Sequence, residues 1–453
     1  MDGISVRNCP GTLGRRAFVR SGLVGLGGLA LADLLRLEAA QAATARPREK
    51  SVIVLWLWGG PSHMETFDLK PDAPSEYRGD FKPVNTNVSG IRICEHLPLL
   101  AKQAHRYALI RSCHHDSPGH VNSTHTVLTA LKGGDQEIPP YKPPQPDVWS
   151  VINRARGDWS QGVPPYIALP RVRYNGAAYL GSGYDPLIVT QDPNAAGFRV
   201  PDVSLPAAQT LRYARRASLL QRFDQMRRHV DASADAQNLD AFQQRALDLL
   251  TRNVTGKAFD LSSEDPKTRD RYGRHDVGQR CLLARRLVEA GARIVTIDFP
   301  CVGGQKAFSW DDHASVWNIF EQMKIRLPVL DQVVSALIDD LYERGLDKDV
   351  LFLVMGEMGR TPKLSNYQGQ PGREHWGKAM SILLAGGGMP MGQVVGETNS
   401  LGEEPQQDPV TPLDLQATLY RYFGIALDTA YVDQTGRPIP ILPTGQPIRQ
   451  LIG

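Results

Sequence analysis

The sequence predicts an α/β protein with a mostly parallel central sheet that is covered by helices on both faces. Strand-like segments alternate with helical ones along the chain, and the strand segments are apolar almost without interruption. Strands that are apolar on both faces are typical of parallel sheets that lie between two helical layers. The length of 453 residues is enough for one large domain with insertions or for two domains.

Five segments are predicted as strands, because each is a short run rich in Val, Ile and Leu that ends in glycine or polar residues. They lie at 51–60, 107–112, 292–299, 349–356 and 380–387. Helices are predicted between them where apolar residues recur every three or four positions. They lie within 93–106, from about Asn122 to 131, over 206–291, over 327–345 and over 412–425.

Two segments between the second and third predicted strands are expected to be additions to the core. Residues 134–205 are rich in Pro, Gly and Asp, with short strand-like pieces such as YIALP and LIVTQ. We expect them to form a loop-rich excursion that decorates the core, and we expect 206–291 to be a helical insertion. Residues 43–453 are then a single domain without an internal repeat.

The N-terminus has the pattern of a twin-arginine export signal. Arg15 and Arg16 precede an aromatic and an aliphatic residue, a mildly apolar and Gly-rich run follows at 21–32, and AQA at 40–42 fits an A-x-A-like cleavage site. The apolar run is too short and too rich in glycine for a stable transmembrane span. We therefore expect residues 1–42 to be a cleaved signal, the twin-arginine export machinery to be a partner, and the mature chain to be periplasmic or extracellular.

An uncleaved amphipathic anchor is the alternative interpretation of this N-terminus. It is favoured by Asp33, Arg36 and Glu38, which interrupt the apolar run. No later apolar run is long enough to span a bilayer.

Charge and cysteine content exclude several classes of function. Without residues 1–42 the chain has 46 basic and 45 acidic residues, so it offers no electrostatic footprint for nucleic acid or an anionic membrane. The arginine-rich segment 212–222 is interleaved with Ala and Leu, which is typical of a solvated helix face. The four cysteines after residue 42 lack a C-x-x-C motif, so no zinc–thiolate site is predicted, while one or two disulfides are compatible with their number.

Seven of the eleven histidines lie in four short segments, and most of these segments follow a predicted strand. The carboxyl ends of parallel strands meet at one edge of a sheet, where ligands bind in α/β proteins. Oxygen and nitrogen donors without thiolates suit Zn, Mn, Fe, Mg or Ca. The candidate residues at this edge are His63, Glu65, Asp68, His120, His125, Asp311, His313, Glu357, Arg360 and His375.

Two of these segments have a structural alternative to metal binding. Asp311 and His313 are two positions apart in a loop and can turn toward one ion, or they can belong to a turn that caps the following helix. Glu357 follows a strand between two glycines, which let a ligand approach, and its alternative is an ion pair with Arg360 or Arg373.

Further candidates concern the binding of an anion. Arg360 is a candidate oxyanion clamp, because a guanidinium fork matches phosphate or sulfate oxygens. The N-terminus of the helix near Asn122 presents free N–H groups to an anion. Ser123 and Thr124 are candidate nucleophiles there, and they are equally suited to be N-cap residues. His375 is a candidate ligand or general acid.

The motifs taken together resemble a known family. GGPSH with ETFD, the H-x-x-S-x-H segment, LARRLVEAG, WD-x-H, GEMGRTPK and GR-x-HW occur in this order behind the export signal. They resemble the exported bacterial family of domain of unknown function 1501 over essentially the whole chain. That family is similar in fold to the alkaline phosphatase and sulfatase superfamily. The resemblance therefore implies an alkaline-phosphatase-like three-layer sandwich with a metal site at the strand ends.

The resemblance also implies roles for individual residues. Asp311 and His313 resemble a ligand loop of the superfamily, His375 is similar in position to its final histidine ligand, and Glu357 stands where an Asp-His pair is usual. His120 stands where sulfatases carry their modified cysteine, and Gly59-Gly60 where they carry paired aspartates. The metal ligands expected on this basis are Asp311, His313, Glu357 and His375. Either His63 and Asp68 replace the paired aspartates as further ligands, or one metal position is lost.

We predict an exported, metal-dependent hydrolase of phosphate or sulfate esters that uses a divalent ion such as Zn, Mn, Ca or Mg. Its substrate would be a small anionic ester, and the predicted catalytic residues are His120, His125, Ser123 and Arg360. The alternative is a non-catalytic periplasmic binding or assembly protein that retains the fold. An oxidoreductase is the least favoured, because the sequence has no dinucleotide fingerprint.

Overall fold

The protein is described by a computed structural model that covers residues 49–133, 143–158, 162–200 and 254–452. Its centre is an eight-stranded sheet. In chain order the strands are β1 (Ser51–Trp56), β2 (Tyr107–Cys113), β3 (Tyr166–Leu169), β4 (Leu187–Ile188), β5 (Ile294–Asp298), β6 (Val350–Met355), β7 (Met380–Gly386) and β8 (Gln393–Val395).

The order of these strands across the sheet is β8-β2-β7-β6-β1-β5-β3-β4. Strand β7 is antiparallel to both of its neighbours, and all other pairs are parallel. Trp56 of β1 is paired with Asp298 of β5 on one side and with Met355 of β6 on the other. The loops after these three strands therefore begin side by side.

The reversed direction of β7 decides where its preceding loop lies. Met380, the first residue of β7, is paired with Cys113, the last residue of β2. The segment before β7, which includes His375, consequently lies at the edge where the parallel strands end. In an all-parallel sheet it would lie at the opposite edge.

The helices form a layer on each face of the sheet. The longer helices are α1 (His120–Thr129), α2 (Val148–Arg156), α3 (Asp276–Glu289), α4 (Ile319–Glu343) and α5 (Pro412–Tyr422).

Residues of β1 alternate between the two cores that these layers create. Ile53 and Leu55 belong to the core under α3 and α4, whereas Val52 and Val54 belong to the core under α1, α2 and α5. Both sets are buried, as a sheet between two helical layers requires. The predicted three-layer α/β sandwich with a mostly parallel sheet is confirmed.

Smaller elements surround this frame. The short helices are Ser75–Arg78, Pro98–Ala101, Val254–Phe259, Pro266–Tyr272 and Arg449–Ile452. Single 3₁₀ turns lie at His63–Glu65, Ala104–Arg106, Ala178–Leu180, Ser182–Tyr184 and Leu261–Ser263. Two-stranded ribbons pair Pro83–Asn85 with Arg92–Cys94, Gly359–Arg360 with His375–Trp376, Ser365–Tyr367 with Gln370–Gly372, Glu397–Thr398 with Pro405–Gln407, and Ala430–Val432 with Pro438–Pro440.

The predicted excursion at 134–205 is partly wrong. Its two strand-like pieces, YIALP and LIVTQ, contribute β3 and β4 to the central sheet itself. These strands have four and two residues, so their apolar pattern is too short to distinguish a sheet strand from a loop segment. The expected helix within 93–106 is likewise reduced to one helical turn that begins at Pro98 and one 3₁₀ turn.

Two helix starts differ from those predicted. Helix α1 begins at His120 with Gly119 as its N-cap, so Ser123 and Thr124 lie inside the helix and do not cap it. Helix α4 begins at Ile319, where the Asn318 side chain accepts hydrogen bonds from the first turn, and it continues through Pro328. The alternative role of the WDDH loop as a helix cap is therefore wrong, because Asn318 has that role.

The predicted export signal at 1–42 and residues 206–253 of the predicted helical insertion lie outside the described residues. Among the helices that the structure describes, none combines the length and apolar character that crossing a membrane demands. The four cysteines after residue 42 are all free.

Candidate metal centre

Four polar segments meet at the edge where the parallel strands end. His120 begins α1 after β2, Asp311 and His313 lie in the loop after β5, and Glu357 follows β6 directly. His375 lies in the ribbon that precedes β7. The sheet thus brings together residues that are far apart in the chain.

The donor atoms of three of these residues form a compact triad. His120, Asp311 and His375 each offer one ligand atom, and the three atoms lie within 4.8 Å of one another. The Nε2 atoms of His120 and His375 are 3.0 Å apart, and they lie 3.3 and 3.2 Å from the Asp311 carboxylate. His313 adjoins the triad, with its Nε2 atom 2.9 Å from Asp311 Oδ1 and 3.1 Å from His375 Nε2.

The other ring nitrogen of each histidine is bound by an acceptor. His120 Nδ1 lies 2.7 Å from Glu357 Oε1, and His313 Nδ1 contacts the Glu374 carboxylate. His375 Nδ1 lies 3.1 Å from the carbonyl oxygen of Pro118. An acceptor on Nδ1 places the proton of a neutral imidazole there, which leaves the Nε2 lone pair directed at the triad.

This arrangement directs acceptor atoms at one another and therefore needs a positive charge. The Nε2 lone pairs face the Asp311 carboxylate, so either additional protons on the rings or a cation must lie between them. Around a tetrahedral ion with bonds of about 2.0–2.1 Å, neighbouring ligand atoms are about 3.3 Å apart. The separations of 3.0 to 3.3 Å within the triad fit such an ion.

Glu357 lies just behind the triad and is completely buried. Its Oε1 atom accepts hydrogen bonds from His120 Nδ1 and, at 2.9 Å, from the backbone N–H of Gly59. Its Oε2 atom is buried without a hydrogen-bond partner among the residues that the structure describes. Glu357 therefore orients His120. Its second carboxylate oxygen makes no other contact of this kind among the described residues and could serve as a further ligand atom for a metal ion.

The electrostatics of the cluster keep Asp311 ionised. Burial raises the pKa of Asp311, but hydrogen bonds from His120, His313 and His375 outweigh it and hold this pKa far below its ordinary value. Burial lowers the pKa of His120, and hydrogen bonds to Asp311 and Glu357 overcome this effect and raise the pKa to about 9. The cluster without a cation thus stabilises positive charge beside Asp311.

Arg360 positions the Asp311 carboxylate. Its guanidinium is fully buried and lies 2.5 Å from Asp311 Oδ1, and it also donates hydrogen bonds to the carbonyl oxygens of Gly59, Gly60 and Arg373. All three guanidinium nitrogens are engaged in this way. The prediction that Arg360 is an oxyanion clamp is not supported, because it presents no exposed N–H group.

Gly59 explains why the first strand carries no carboxylate at its end. Its φ is +111°, and a Cβ atom there would lie 2.6 Å from the backbone nitrogens of Trp310 and Asp311. Only glycine allows the Asp311 loop to approach so closely. The backbone of Gly59 contributes instead through its hydrogen bonds to Glu357 and Arg360.

Buried ion pairs anchor the two loops that carry the ligands. Arg326 of α4 pairs with Asp312 through both carboxylate oxygens and stacks on Trp310, 4.5 Å from the ring centre. Arg373 pairs with Glu65 at 2.7 and 2.8 Å. Neighbours of Asp311 and His375 in the chain are thus tied to the body of the fold.

The structure does not bring His63 or Asp68 into the cluster. His63 is buried, and its Nε2 atom lies 2.8 Å from the carbonyl oxygen of Gly402. Asp68 is buried with Lys70 at 3.0 Å and Arg111 at 3.8 Å. Neither side chain belongs to the group of donor atoms formed by His120, Asp311 and His375, so their expected role as ligands is not supported.

Two predicted catalytic residues also have structural roles in α1. Ser123 is buried, and its hydroxyl donates a hydrogen bond to the carbonyl oxygen of Ser117 at 3.2 Å. His125 is buried, and its Nδ1 atom lies 3.0 Å from the carbonyl oxygen of Leu131. His120, which is expected to transfer protons, belongs to the triad that could hold a metal ion.

A comparison with models of known protein families identifies the family of the chain. Residues 49–452 match the sequence profile of the family described as protein of unknown function (DUF1501). The chain belongs to the DUF1501 family. None of the curated proteins compared with it matches the chain.

The DUF1501 chain is also similar to solved structures. One is a sulfatase from Pseudoalteromonas sp. (12% identity, 86% of this chain and 70% of that chain, TM-score 0.37). Others are the phosphonate monoester hydrolase from Silicibacter pomeroyi (11%, 83% and 73%, 0.34) and a protein in the alkaline phosphatase superfamily from Vibrio parahaemolyticus (9%, 84% and 68%, 0.38). TM-scores below 0.5 carry no activity from one protein to another, so the chemistry of the DUF1501 site rests on its own side chains.

Sequence reasoning missed three contributors to the DUF1501 site. Glu374 holds the Nδ1 atom of His313, the carbonyl of Pro118 holds that of His375, and the Trp58 ring lies 5.2 Å from the His120 ring. Glu374 is the only one with a signal in the sequence, because it precedes His375 in the motif REHW. The other two depend on contacts between distant segments.

Proposed function

We propose that this DUF1501 protein binds a divalent cation with His120, Asp311 and His375 and hydrolyses phosphate or sulfate esters after export. The observation that carries the proposal is the convergence of the three donor atoms, with an acceptor behind each imidazole. Two imidazoles and a carboxylate are a donor set that suits Zn and also Mn. Three protein donors leave a coordination position for a substrate, which is usual for catalytic sites.

A divalent ion at this position would polarise the ester and stabilise the negative charge that develops on it. The protein's own groups bind and orient. Glu357 holds the Nδ1 proton of His120, and Arg360 fixes the Asp311 carboxylate. The N-terminus of α1 lies at His120, so its first N–H groups favour an anionic substrate beside the triad.

Metal content tests the binding step. We expect about one tightly bound ion per chain in protein purified after native export and in protein refolded with Zn²⁺ or Mn²⁺. Asp311→Asn and His120→Ala should lose the ion, whereas His105→Ala, which replaces an exposed histidine outside the cluster, should retain it. A stoichiometric absence of metal in both preparations of the unaltered protein would contradict the proposal.

Hydrolysis of aryl phosphates and aryl sulfates tests the reaction. Activity that requires metal and is abolished in Asp311→Asn supports the enzyme. His313→Ala then separates two roles of His313: loss of the ion assigns it as a fourth ligand, and loss of activity with the ion retained assigns it a role toward the substrate.

A non-catalytic binding or assembly protein is the second candidate function. It is favoured by the position of His313 beside the triad, because structural zinc sites have four protein donors. A tightly held ion, its loss in His313→Ala and no hydrolysis of either ester class would together support this alternative.

Export to the periplasm or beyond is proposed from the predicted signal at 1–42. Replacing Arg15 and Arg16 by lysine should leave the uncleaved precursor in the cytoplasm, because the twin-arginine export machinery recognises the paired arginines. Cell fractionation with an antibody to the mature chain measures the outcome, and unchanged export of the double variant would contradict the proposal.

A further inference from the structure

The side chain of Trp58 packs against the first histidine of the triad. Trp58 lies two residues after the end of β1 and is only 9% exposed. Its ring centre is 5.2 Å from that of His120, and the two ring planes are tilted by 44°. The carbonyl oxygen of Trp58 accepts a hydrogen bond at 2.8 Å from the backbone N–H of Trp310, the residue before Asp311. Trp58 thus contacts both His120 and the loop that carries Asp311.

The contact with Trp58 restricts His120 in a way that its polar contacts do not. Its Nδ1 atom lies 2.7 Å from Glu357 Oε1, and its Nε2 atom lies 3.0 Å from His375 Nε2. These contacts act at the ring nitrogens and tolerate a moderate tilt of the ring plane, because hydrogen-bond angles vary. An aromatic ring packed on the imidazole opposes such a tilt, since tilted aromatic pairs at this spacing attract each other.

Two consecutive residues hold the Trp58 ring in turn. The guanidinium carbon of Arg173 lies over the ring at 4.5 Å from its centre, which is a cation–π contact. The Tyr174 ring lies 5.3 Å from the same ring. Tyr174 has a φ of +51°, which is uncommon for an aromatic residue. Such backbone conformations persist where surrounding contacts hold them, and they cluster near functional sites.

Asp298 fixes the position of Arg173. It is buried at the end of β5 and accepts hydrogen bonds from Arg173 Nη2 at 2.8 Å and from Arg173 Nε at 3.2 Å. A bidentate pair of this kind specifies the orientation of the guanidinium. Asp298 is also paired in register with Trp56 of β1. The contacts that end on Trp58 therefore begin on the neighbouring strand of the sheet.

We propose that Trp58 and Arg173 are positioning residues for the metal ligand His120. Asp298 holds Arg173, Arg173 holds the Trp58 ring, and Trp58 keeps the imidazole plane in the orientation that binds the ion. Residues behind a metal ligand commonly set its affinity without touching the metal. This inference rests on the metal binding in the proposed function and is independent of whether the site hydrolyses esters.

The affinity for Zn²⁺ tests the role of Trp58. We expect Trp58→Ala to reduce it by about tenfold, the lower end of the usual effect of losing a partner of a ligand. Trp58→Phe keeps an aromatic face against His120 and should restore most of the affinity. Tyr431→Ala is the matched control, because it removes a ring that lies under Arg154 at 4.3 Å in the C-terminal ribbon, and it should leave the affinity unchanged. Competition with a chromophoric chelator measures all four proteins.

Cobalt in place of zinc gives a readout that a purely structural role would not change. The visible absorption of bound Co²⁺ depends on the geometry of its ligands, so a reoriented His120 alters the bands even in metal-saturated protein. We expect altered bands in Trp58→Ala and unaltered bands in Trp58→Phe and Tyr431→Ala. Trp58→Leu fills the space without an aromatic face and should resemble Trp58→Ala, so the test does not depend on the folding of the alanine variant.

A double variant tests whether Arg173 acts through Trp58. Arg173→Gln is combined with Asp298→Asn, because Arg173→Gln alone would leave a buried carboxylate without its closest partner. This variant should bind Zn²⁺ more weakly than the unaltered protein. Adding Trp58→Ala should then lower the affinity no further than Trp58→Ala does alone, since residues that act in series are not additive. Additive losses, or a Trp58→Ala protein with unaltered affinity and cobalt bands, would overturn the inference.

Ester hydrolysis separates this inference from the proposed function. Metal affinity that depends on Trp58, without hydrolysis of aryl phosphates or sulfates, refutes the enzyme and retains the positioning role. Metal-dependent hydrolysis with an affinity that is unchanged in Trp58→Ala refutes the positioning role and retains the enzyme. An unaltered protein that binds neither Zn²⁺ nor Co²⁺ refutes both.

Discussion

Glu357 shows how one buried residue shapes the proposed metal site. It contacts the triad only through His120, yet the acceptor it provides determines which nitrogen of that ring faces Asp311. Partners of this kind fix both the tautomer and the orientation of a metal ligand. Its position directly after β6 also ties the ring to an inner strand of the central sheet.

Replacing Glu357 should therefore weaken metal binding without removing a histidine or aspartate of the triad. We expect Glu357→Ala to reduce the affinity for Zn²⁺ by about 10–100-fold, the usual effect of losing such a partner. Glu357→Gln should have a smaller effect, because its carbonyl oxygen can still accept the hydrogen bonds of His120 and Gly59. Competition with a chromophoric chelator measures both affinities, and a Glu357→Ala affinity equal to that of the unaltered protein would refute the orienting role.

At the scale of elements, the Asp311 loop is held by α4. Arg326 and Asp312 are both buried, and the carboxylate also accepts a hydrogen bond from Trp317 Nε1 at 2.8 Å. Breaking a buried ion pair leaves an uncompensated charge, which is far more destabilising than losing an exposed pair. The loop geometry at Asp311 thus depends on a charge pair that lies outside the triad.

We expect Asp312→Ala to lower the free energy of unfolding by about 3–5 kcal/mol. Adding Arg326→Met should recover part of this loss, because the buried charge is removed. Asp270→Ala is the matched control: it breaks the exposed i,i+4 pair of Asp270 and Arg274 and should change stability by less than about 0.5 kcal/mol. Urea unfolding gives these values, and equal losses from the buried and exposed pairs would contradict this account.

The start of α2 gives the fold a dependence on pH. Asp147 is fully buried, caps α2 through the backbone N–H of Ser150 at 2.7 Å and accepts a hydrogen bond from Asn175 at 2.6 Å. Burial raises the pKa of Asp147 to about 6, although these hydrogen bonds oppose the shift. The folded state therefore holds a proton that the unfolded chain releases near pH 4.

This proton favours folding at low pH, and its contribution is lost as the pH rises from about 4 through 6. Relative to Asp147→Asn, which retains the cap, the unaltered protein should lose about 2 kcal/mol of unfolding free energy between pH 4 and pH 7. The exposed carboxyl variant Asp72→Asn controls for general effects of charge. Urea unfolding at the two pH values gives the free energies of both proteins, and a free energy of the unaltered protein that rises with pH relative to that of Asp147→Asn would have the wrong sign.

At the scale of the whole molecule, the triad joins distant parts of the chain. His120 and His375 are 255 residues apart in sequence, and Asp311 is 64 residues from His375. A cation bound by these residues crosslinks loops from both halves of the sheet, and it can bind in this way only to the folded chain. The proposed metal binding would thus be coupled to global stability.

Zinc should consequently stabilise the whole domain. At a free concentration of one hundred times Kd, the free energy of unfolding should rise by about 2.7 kcal/mol. Asp311→Asn should show no increase, and chelation should return the unaltered protein to its metal-free stability. Chemical unfolding with and without buffered Zn²⁺ measures the effect, and an identical increase in Asp311→Asn would place the ion elsewhere.

The sequence by itself determined the class of the fold and most of the site. Continuous apolar strands such as SVIVLW can only be buried between two layers, and polar segments after such strands must meet at one edge. Asp311, His313, Glu357 and His375 were predicted from this rule together with the family resemblance. The strands β3 and β4 were missed because two to four residues carry too little periodicity.

Only the tertiary structure decided which polar residues converge. His63 and Asp68 follow a strand as Glu357 does, yet their partners Gly402 and Lys70 hold them outside the triad. The antiparallel direction of β7, which brings His375 to the site, depends on pairing with β2 and β6. Strand direction and side-chain partners are long-range properties, and local sequence patterns do not encode them.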